Sequence, residues 1–89
     1  MQRTDDHGLV FPCRFPIKAM GHDGDDFSGL VTGIVQGHAG DIPPQDIQRR
    51  PSRNGKYLSV TVTIEARSRE QLDAIYRELS GHPRVLMVL

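Results

Sequence analysis

The chain contains no tryptophan, three phenylalanines, two tyrosines and a single cysteine among its 89 residues. It is therefore poor in the aromatic side chains that usually anchor tight interfaces and stack on nucleic-acid bases. Because Cys13 is the only cysteine, no disulfide can form within the chain. The sequence also lacks a signal-peptide pattern and any apolar run of about 18 residues, the length that a membrane-spanning helix needs. These absences favour a cytoplasmic protein that does not enter a membrane.

A net charge of one sign is absent as well. Eleven Lys and Arg residues balance eleven Asp and Glu residues. A domain with this balance has no general attraction for nucleic acids or anionic membranes. A local basic run surrounds a predicted turn and comprises Arg49, Arg50, Arg53 and Lys56, but exposed charges on a turn are usually only solvated. The charge pattern therefore disfavours nucleic acid as a partner.

The strongest structural signal is the segment from Lys56 to Ala66. Its residues alternate between an apolar set and a mainly hydroxyl-bearing set, which are Leu58, Val60, Val62, Ile64 and Ala66, and Tyr57, Ser59, Thr61, Thr63 and Glu65. A period of two places the two sets on opposite faces of a strand. The many β-branched side chains favour the same structure. The pattern predicts a central strand with one buried face and one exposed face.

Weaker patterns predict three more strands. Residues 15–20 alternate as a first strand, and a second strand begins after Pro44. Because prolines cannot donate to a ladder, this second strand should lie at a sheet edge. Asn54-Gly55 predicts the hairpin turn that follows it, and the apolar residues 85–89 predict a final strand.

Two helices complete the set of elements. The first has an apolar stripe over residues 27–38, should begin near Asp23 to Asp25 because acidic side chains favour a helix N-terminus, and ends at Gly40. Glycines at 29, 33 and 37 weaken it, and we interpret them as tolerated surface residues rather than a contact for a second backbone. Ser68 and Gln71 form a capping box that starts the second helix, which ends at Gly81.

The element order is strand, helix, strand, strand, helix, strand, in one α+β domain over residues 11–89 after a flexible tail over residues 1–10. Right-handed crossovers then favour a ferredoxin-like βαββαβ sandwich. It has a four-stranded antiparallel sheet of order 4-1-3-2 and both helices on one face. The other face of the sheet is left uncovered.

Several short stretches resemble one family of small bacterial proteins. They are Phe11-Pro12, Phe15, Lys18, Met20-Gly21, Ser52, the run from Gly55 to Thr63, and the ending Val85 to Leu89. Together they resemble the YbeD-like family, whose members are often called lipoate regulatory proteins. The resemblance covers Phe11 to Leu89 and implies a ferredoxin-like fold similar to ACT domains, the amino-acid-sensing modules of metabolic enzymes. It carries over no catalytic or binding residues.

No constellation of residues predicts catalysis, a metal or a cofactor. His22, Asp23, Asp25 and Asp26 are close in sequence, but they lack the alternating oxygen ligands of a calcium loop and are better interpreted as the start of a helix. His7, His38, His82 and Cys13 lack zinc-site spacing. Cys13 itself is expected to be a small, partly buried thiol near a strand start. We therefore predict that the protein is not an enzyme.

The uncovered sheet face is the predicted functional surface. If Val85 and Met87 face the helices, Leu86 and Val88 should emerge beside the first strand and form an apolar patch. The candidate interaction surface then comprises Lys18, Met20, Tyr57, Thr61, Thr63, Leu86 and Val88. The alternative is that the last residues fray or that the strand is simply hydrophobic. The hypothesis is a regulatory domain that binds a protein partner or a second copy in a weak homodimer.

Two other functions stay open. An ACT-like module would sense a small molecule such as an amino acid, and its effector loop would include Gly21 and His22. An RNA-binding domain of this topology would use the open sheet face. For that second role the face offers one tyrosine, Tyr57, which is a poor platform for bases.

Overall fold

The computed structural model describes residues 3–4, 8–24 and 26–89 of the chain. Its elements are β1 (Arg3–Thr4), β2 (Val10–Phe11), β3 (Cys13–His22), α1 (Phe27–Ala39), a 3₁₀ turn (Pro44–Asp46), β4 (Ile47–Pro51), β5 (Tyr57–Ala66), α2 (Arg69–Gly81) and β6 (Met87–Val88). Strands β4, β5, β3 and β6 form a four-stranded antiparallel sheet in that order. The predicted α+β class, its sheet order and its ferredoxin-like arrangement are confirmed.

The longest feature of the sheet is the ladder between β3 and β5. It joins ten residue pairs, from Cys13 opposite Ala66 to His22 opposite Tyr57. Residues directly opposite each other in an antiparallel pair point to the same face. Ile17 and its partner Val62 are fully buried, as are Ala19 and Val60, the next inward-facing pair along the ladder. The ladder therefore sets which face of the sheet forms the core.

Both helices cover that buried face. Each contributes three buried side chains at helical spacing, which are Phe27, Val31 and Val35 from α1 and Leu72, Ile75 and Leu79 from α2. Leu30 and Ile34 of the predicted stripe are only partly buried and pack at the margin of this core. The core is thus a single layer between two helices and one side of a sheet.

The start of α2 also ties the two helices together. The Ser68 hydroxyl accepts a hydrogen bond from the Gln71 amide at 3.0 Å, as the capping box predicts. The Gln71 side-chain oxygen accepts from the Arg67 amide at 2.7 Å, one residue before the expected position. Its side-chain nitrogen donates to the carbonyl of His38 near the end of α1, at 3.1 Å. Gln71 therefore caps α2 and also forms a hydrogen bond to the end of α1.

Helix α1 begins later than the acidic run predicts. Its first residue is Phe27, and Asp26 at the N-cap makes no capping hydrogen bond with its side chain. The Asp26 carboxylate instead accepts from both terminal nitrogens of Arg84, at 2.8 and 2.9 Å. Asp25 lies outside the described residues. The prediction of a start near Asp23 to Asp25 is wrong because Asp26 is used in a long-range ion pair.

The final strand is shorter than predicted, and its alternation is shifted by one residue. Val88 pairs with Ala19 and packs against the core, whereas Met87 pairs with Met20. Val85 is buried, as expected. The expected positions of Met87 toward the helices and Val88 on the open face are therefore wrong. Simple alternation from Val85 fails because pairing with β3 begins only near Met87.

Two remaining features concern the chain's extremities and its helices. The predicted tail over residues 1–10 falls partly outside the described residues and stays a prediction. Of that segment, β1 pairs with β2 in a small separate sheet. No helix within the described ranges is long and apolar enough to cross a membrane.

Two glycines provide opposite tests of this packing. A Cβ atom on Gly21 would lie 2.5 Å from a ring carbon of Phe27 and 2.6 Å from the carbonyl oxygen of Arg84. We expect Gly21→Ala to lower the free energy of unfolding by about 1–3 kcal/mol, because the added methyl group would overpack the core at this position. Urea denaturation followed by circular dichroism measures this loss.

Gly33→Ala is the matched control. Gly33 is exposed within α1, and beyond its chain neighbours and the nearby backbone of the helix no heavy atom of the described residues lies within 4 Å of its added Cβ. We expect this substitution to raise the free energy of unfolding by about 0.5–1 kcal/mol because alanine is the better helix former. Equal stability of the two variants would contradict the packing described for Gly21.

Candidate functional site

The face of the sheet that points away from the helices is called the open face here. The ladder places Pro16, Lys18 and Met20 of β3 opposite Thr63, Thr61 and Ser59 of β5, and the next strand adds Gln48 opposite Thr61 and Arg50 opposite Ser59. No described element packs over this face. The candidate residues Lys18, Met20, Thr61 and Thr63 are therefore brought together on one surface.

A shallow concavity lies on the open face between β3 and β4. Its volume is about 560 Å³, and it is lined by Lys18, Gln48, Arg49, Arg50, Ser59 and Thr61. A smaller depression of about 160 Å³ adjoins it and shares Lys18, Arg50 and Ser59. The basic concavity, as we name the residues that line the larger depression, combines the cations Lys18 and Arg50 of the open face with two hydroxyls and an amide. Arg49 lines it from the edge strand, although its opposite residue Val60 points to the core. Such a set can bind an anionic group through charge-assisted hydrogen bonds.

Ser59 forms the floor of the basic concavity. The sequence predicts it as exposed, but its exposed fraction is only 7%, which makes it a buried polar residue. Its hydroxyl donates to the backbone carbonyl of Arg50 at 3.3 Å. This bond satisfies the buried hydroxyl and links β5 to β4 at the position where Arg50 projects from the sheet.

The cations Lys18 and Arg50 of the basic concavity differ from Arg14 in whether they form an ion pair. Arg14, at the far end of the open face, pairs with Asp46 at 2.7 Å. Its hydrogen bonds lower the pKa of the Asp46 carboxyl below its ordinary value. Lys18 and Arg50 form no ion pair with any described residue. Positive charge is therefore unbalanced locally at one end of the face, although the whole chain is neutral.

An apolar border runs along the edge strand next to Lys18. Met87 and Leu89 are 50% and 63% exposed, and the backbone of Leu89 exchanges two hydrogen bonds with Lys18. Leu86, a predicted surface residue, is 53% exposed just before β6. Val88 is only partly exposed and faces the core. Met87 and Leu89, rather than Val88, form the apolar flank of the open face.

The aromatic part of the candidate surface is already engaged by its neighbours. Tyr57 stacks with His22, with ring centroids 5.3 Å apart and an interplanar angle of 29°. The ammonium of Lys56 lies 5.6 Å from the centre of the same tyrosine ring. A base that stacked on Tyr57 would have to displace these contacts, which weakens the case for an RNA platform.

The predicted effector loop is closed at Gly21. The α-carbon of this residue packs against the Phe27 ring and the Arg84 backbone so closely that a methyl group does not fit. The Arg84 guanidinium lies 5.9 Å from the centre of the Phe27 ring. His22 is exposed, but its ring contacts Tyr57. A small effector would have to bind outside this packed junction, and such sensing stays a prediction.

The side chains that could bind a metal ion lie apart in the described residues. No cluster of three or more His, Cys, Asp or Glu side chains could hold a metal within the described ranges. Cys13 lies opposite Ala66 on the inner face and packs against the core, as the sequence predicts for a partly buried thiol.

Arg50 and Gln48 are the surface residues that the sequence reasoning missed. Both belong to a segment that the sequence predicts to be an edge strand leading into a solvated basic run. The register of the β4–β5 hairpin identifies them. A hairpin that pairs Ser52 with Tyr57 places Arg50 beside Ser59 and Gln48 beside Thr61. The sequence predicts Lys18 on this face, but it does not show that Arg50, 32 positions later in the chain, shares the face across β5.

Comparison with known proteins gives a consistent family assignment without an activity. A family model described as a protein of unknown function (DUF493) matches residues 6–89. A UPF0250 protein of Chromobacterium violaceum is 49% identical over 79 residues, covering 89% of each chain. One from Nitrosomonas europaea is 45% identical over 97% of this chain and 99% of its own. One from Paraburkholderia phytofirmans is 46% identical over the full length of both. The YbeD-like resemblance is consistent with these matches, and its lipoate label stays a prediction.

The Asp26 to Arg84 ion pair predicts a pH effect on stability. Hydrogen bonds from Arg84 lower the pKa of Asp26 in the folded chain. Its contribution is therefore present above the unfolded pKa of about 3.9 and is lost as the pH falls through the lower folded value. We expect wild type to lose more stability than Asp26→Asn between about pH 5 and pH 3. Urea titrations at several pH values measure this difference.

The control for this experiment is Asp41→Asn. Asp41 is exposed and forms no ion pair with a described residue. Its substitution should leave the wild-type pH profile nearly unchanged. Parallel profiles for wild type and Asp26→Asn would show that the ion pair does not stabilise the fold.

Proposed function

The chain belongs to the DUF493 family, and from this starting point we propose that it is a non-catalytic regulatory domain that binds a partner protein through the open face of its sheet. The observation that carries the proposal is the uncovered face itself, which presents Lys18 and Arg50 and, on the strand next to Lys18, the exposed side chains of Met87 and Leu89. Apolar area bordered by charge is typical of protein interfaces. The interaction would take place in the cytoplasm.

The size of the face agrees with a transient partner rather than an obligate one. Among the residues whose burial the structure describes, exposed large apolar side chains are confined to the end of the chain and to Val10. Obligate interfaces are larger and more hydrophobic, and they resemble a domain core that has been cut in half. A regulatory contact that forms and dissociates needs less apolar area and more charge, as this face provides.

The other two functions have weaker support. For an RNA-binding domain, the single tyrosine on the face is occupied by His22 and Lys56. For an amino-acid sensor, the packing of Gly21 against Phe27 and Arg84 leaves no room for a methyl group at this residue of the predicted loop. A lipoate-linked regulatory role is compatible with the proposal, because it requires only that a partner protein be recognised.

A bulky residue in the basic concavity of the open face tests the proposal. Thr61 lies between Lys18 and Gln48 and is partly exposed. We expect Thr61→Tyr to abolish retention of the partner from source-cell extract, because the new ring obstructs the face while keeping strand propensity. Quantitative mass spectrometry of proteins retained by immobilised wild type and variant measures the loss.

Ser80→Tyr is the matched control. Ser80 is exposed on α2, within the layer that covers the opposite face of the sheet. The proposal requires at least one protein that is retained by wild type and by Ser80→Tyr but not by Thr61→Tyr. Retention of the same proteins by all three would contradict it.

Sedimentation velocity distinguishes a partner protein from a second copy of the chain. We expect wild type to sediment as a monomer at micromolar concentration, because the exposed apolar area is small. A wild-type dimer that dissociates in Thr61→Tyr would instead assign the open face to self-association.

A further inference from the structure

We infer that the basic concavity selects an acidic segment of the partner, with a partner carboxylate bound between Lys18 and Arg50 over the hydroxyls of Ser59 and Thr61. This inference rests on the proposed function and adds the chemistry of the partner to it. The two cations come from different strands, and both line each of the two depressions on the face. The occupant is therefore defined by charge complementarity.

Register gives the spacing of the two cations. Lys18 lies opposite Thr61 on β5, and Arg50 lies opposite Ser59 two residues away. Neighbouring strands are about 4.8 Å apart and two residues along a strand span about 6.7 Å, so the two α-carbons are about 12 Å apart. Both side chains are long enough to reach a group held over β5 between them. One carboxylate, or two on an extended segment, can satisfy this pair.

The local charge balance favours an anion in this position. Lys18 and Arg50 have no carboxylate partner among the described residues. The acidic side chains of the sheet lie at its other end, where Asp46 is paired with Arg14 and Glu65 is opposite Arg14. An acidic segment would thus be attracted to one end of the open face and repelled by Glu65 at the other.

The composition of the face favours protein over nucleic acid as the source of the anion. Single-stranded nucleic acids need stacking surfaces as well as cations. The basic concavity contains no aromatic side chain, and Tyr57 beside it is engaged by His22. The adjoining Met87 and Leu89 offer instead a place for the apolar side chains of a peptide. An acidic peptide with apolar residues beside its carboxylates matches both parts of this surface.

The experiment is a titration of the ¹⁵N-labelled protein with an oligoglutamate peptide, followed by heteronuclear NMR. We expect shift changes concentrated at Lys18, Arg50, Ser59 and Thr61. Lys18→Met with Arg50→Met should weaken binding roughly five- to tenfold, as expected for the loss of two exposed ion pairs. Raising the salt concentration should weaken wild-type binding because exposed charges are screened.

The control variant is Arg67→Met with Arg77→Met, which removes the same net charge from exposed residues outside the concavity. It should bind the peptide as wild type does. Equal weakening in both double variants would show that only overall charge matters and would overturn the inference. Absence of localised shifts would also overturn it, as would tighter binding of oligouridine RNA to the same residues. Thermal melting confirms that each variant is folded.

The same variants separate this inference from the proposed function in the retention experiment. Met87→Ser with Leu89→Ser removes the apolar flank without altering charge. Loss of the partner from Lys18→Met with Arg50→Met, but not from the Arg67 and Arg77 control, supports the acidic segment. If the partner is lost only from the flank variant and from Thr61→Tyr, the open face is the binding surface but the acidic recognition is wrong.

Discussion

The ladder between β3 and β5 is the constraint on which the rest of the structure depends. Ten consecutive residue pairs hold the register of the two central strands. A slip of β3 by one residue would move Ile17 from the core to solvent and would bring Lys18 under the helices. Burying an unpaired lysine there would destabilise the fold by more than any alternative contact could stabilise it. The same pairing that forms the core therefore also defines the composition of the open face.

The open face brings together two cations that are far apart in the sequence. Lys18 is in the first half of the chain, and Arg50 follows the loop that connects α1 to β4. Their convergence over Ser59 and Thr61 produces local positive charge in a chain that has no net charge. Short-range attraction of this kind affects the choice of partner and the rate of association more than the strength of a stable complex. It suits a regulatory domain that recognises its partner transiently.

Much of the fold could be predicted because the local patterns agree with the tertiary contacts. The alternation of residues 57–66 and the Ser68 capping box predict β5 and the start of α2 correctly. The errors occur where a distant residue decides the local structure. Arg84 draws the Asp26 carboxylate away from capping α1, and pairing with Ala19 turns Val88 toward the core. The basic concavity was missed for the same reason, since Arg50 reaches Lys18 only across an intervening strand. Ser59 is buried by neighbours on other strands, which alternation within β5 does not reveal.

Family membership without a described activity makes the open face the most informative part of this molecule. Its accessibility is tested most directly by methyl NMR relaxation in the presence of a neutral, water-soluble paramagnetic agent. If the face is uncovered, the methyl groups of Thr61, Thr63 and Met87 relax strongly, whereas those of Ala19, Val60 and Val62 stay protected. Protection of Thr61 and Thr63 to the level of Val60 would show that another part of the chain or a second copy covers the sheet, and it would contradict the account.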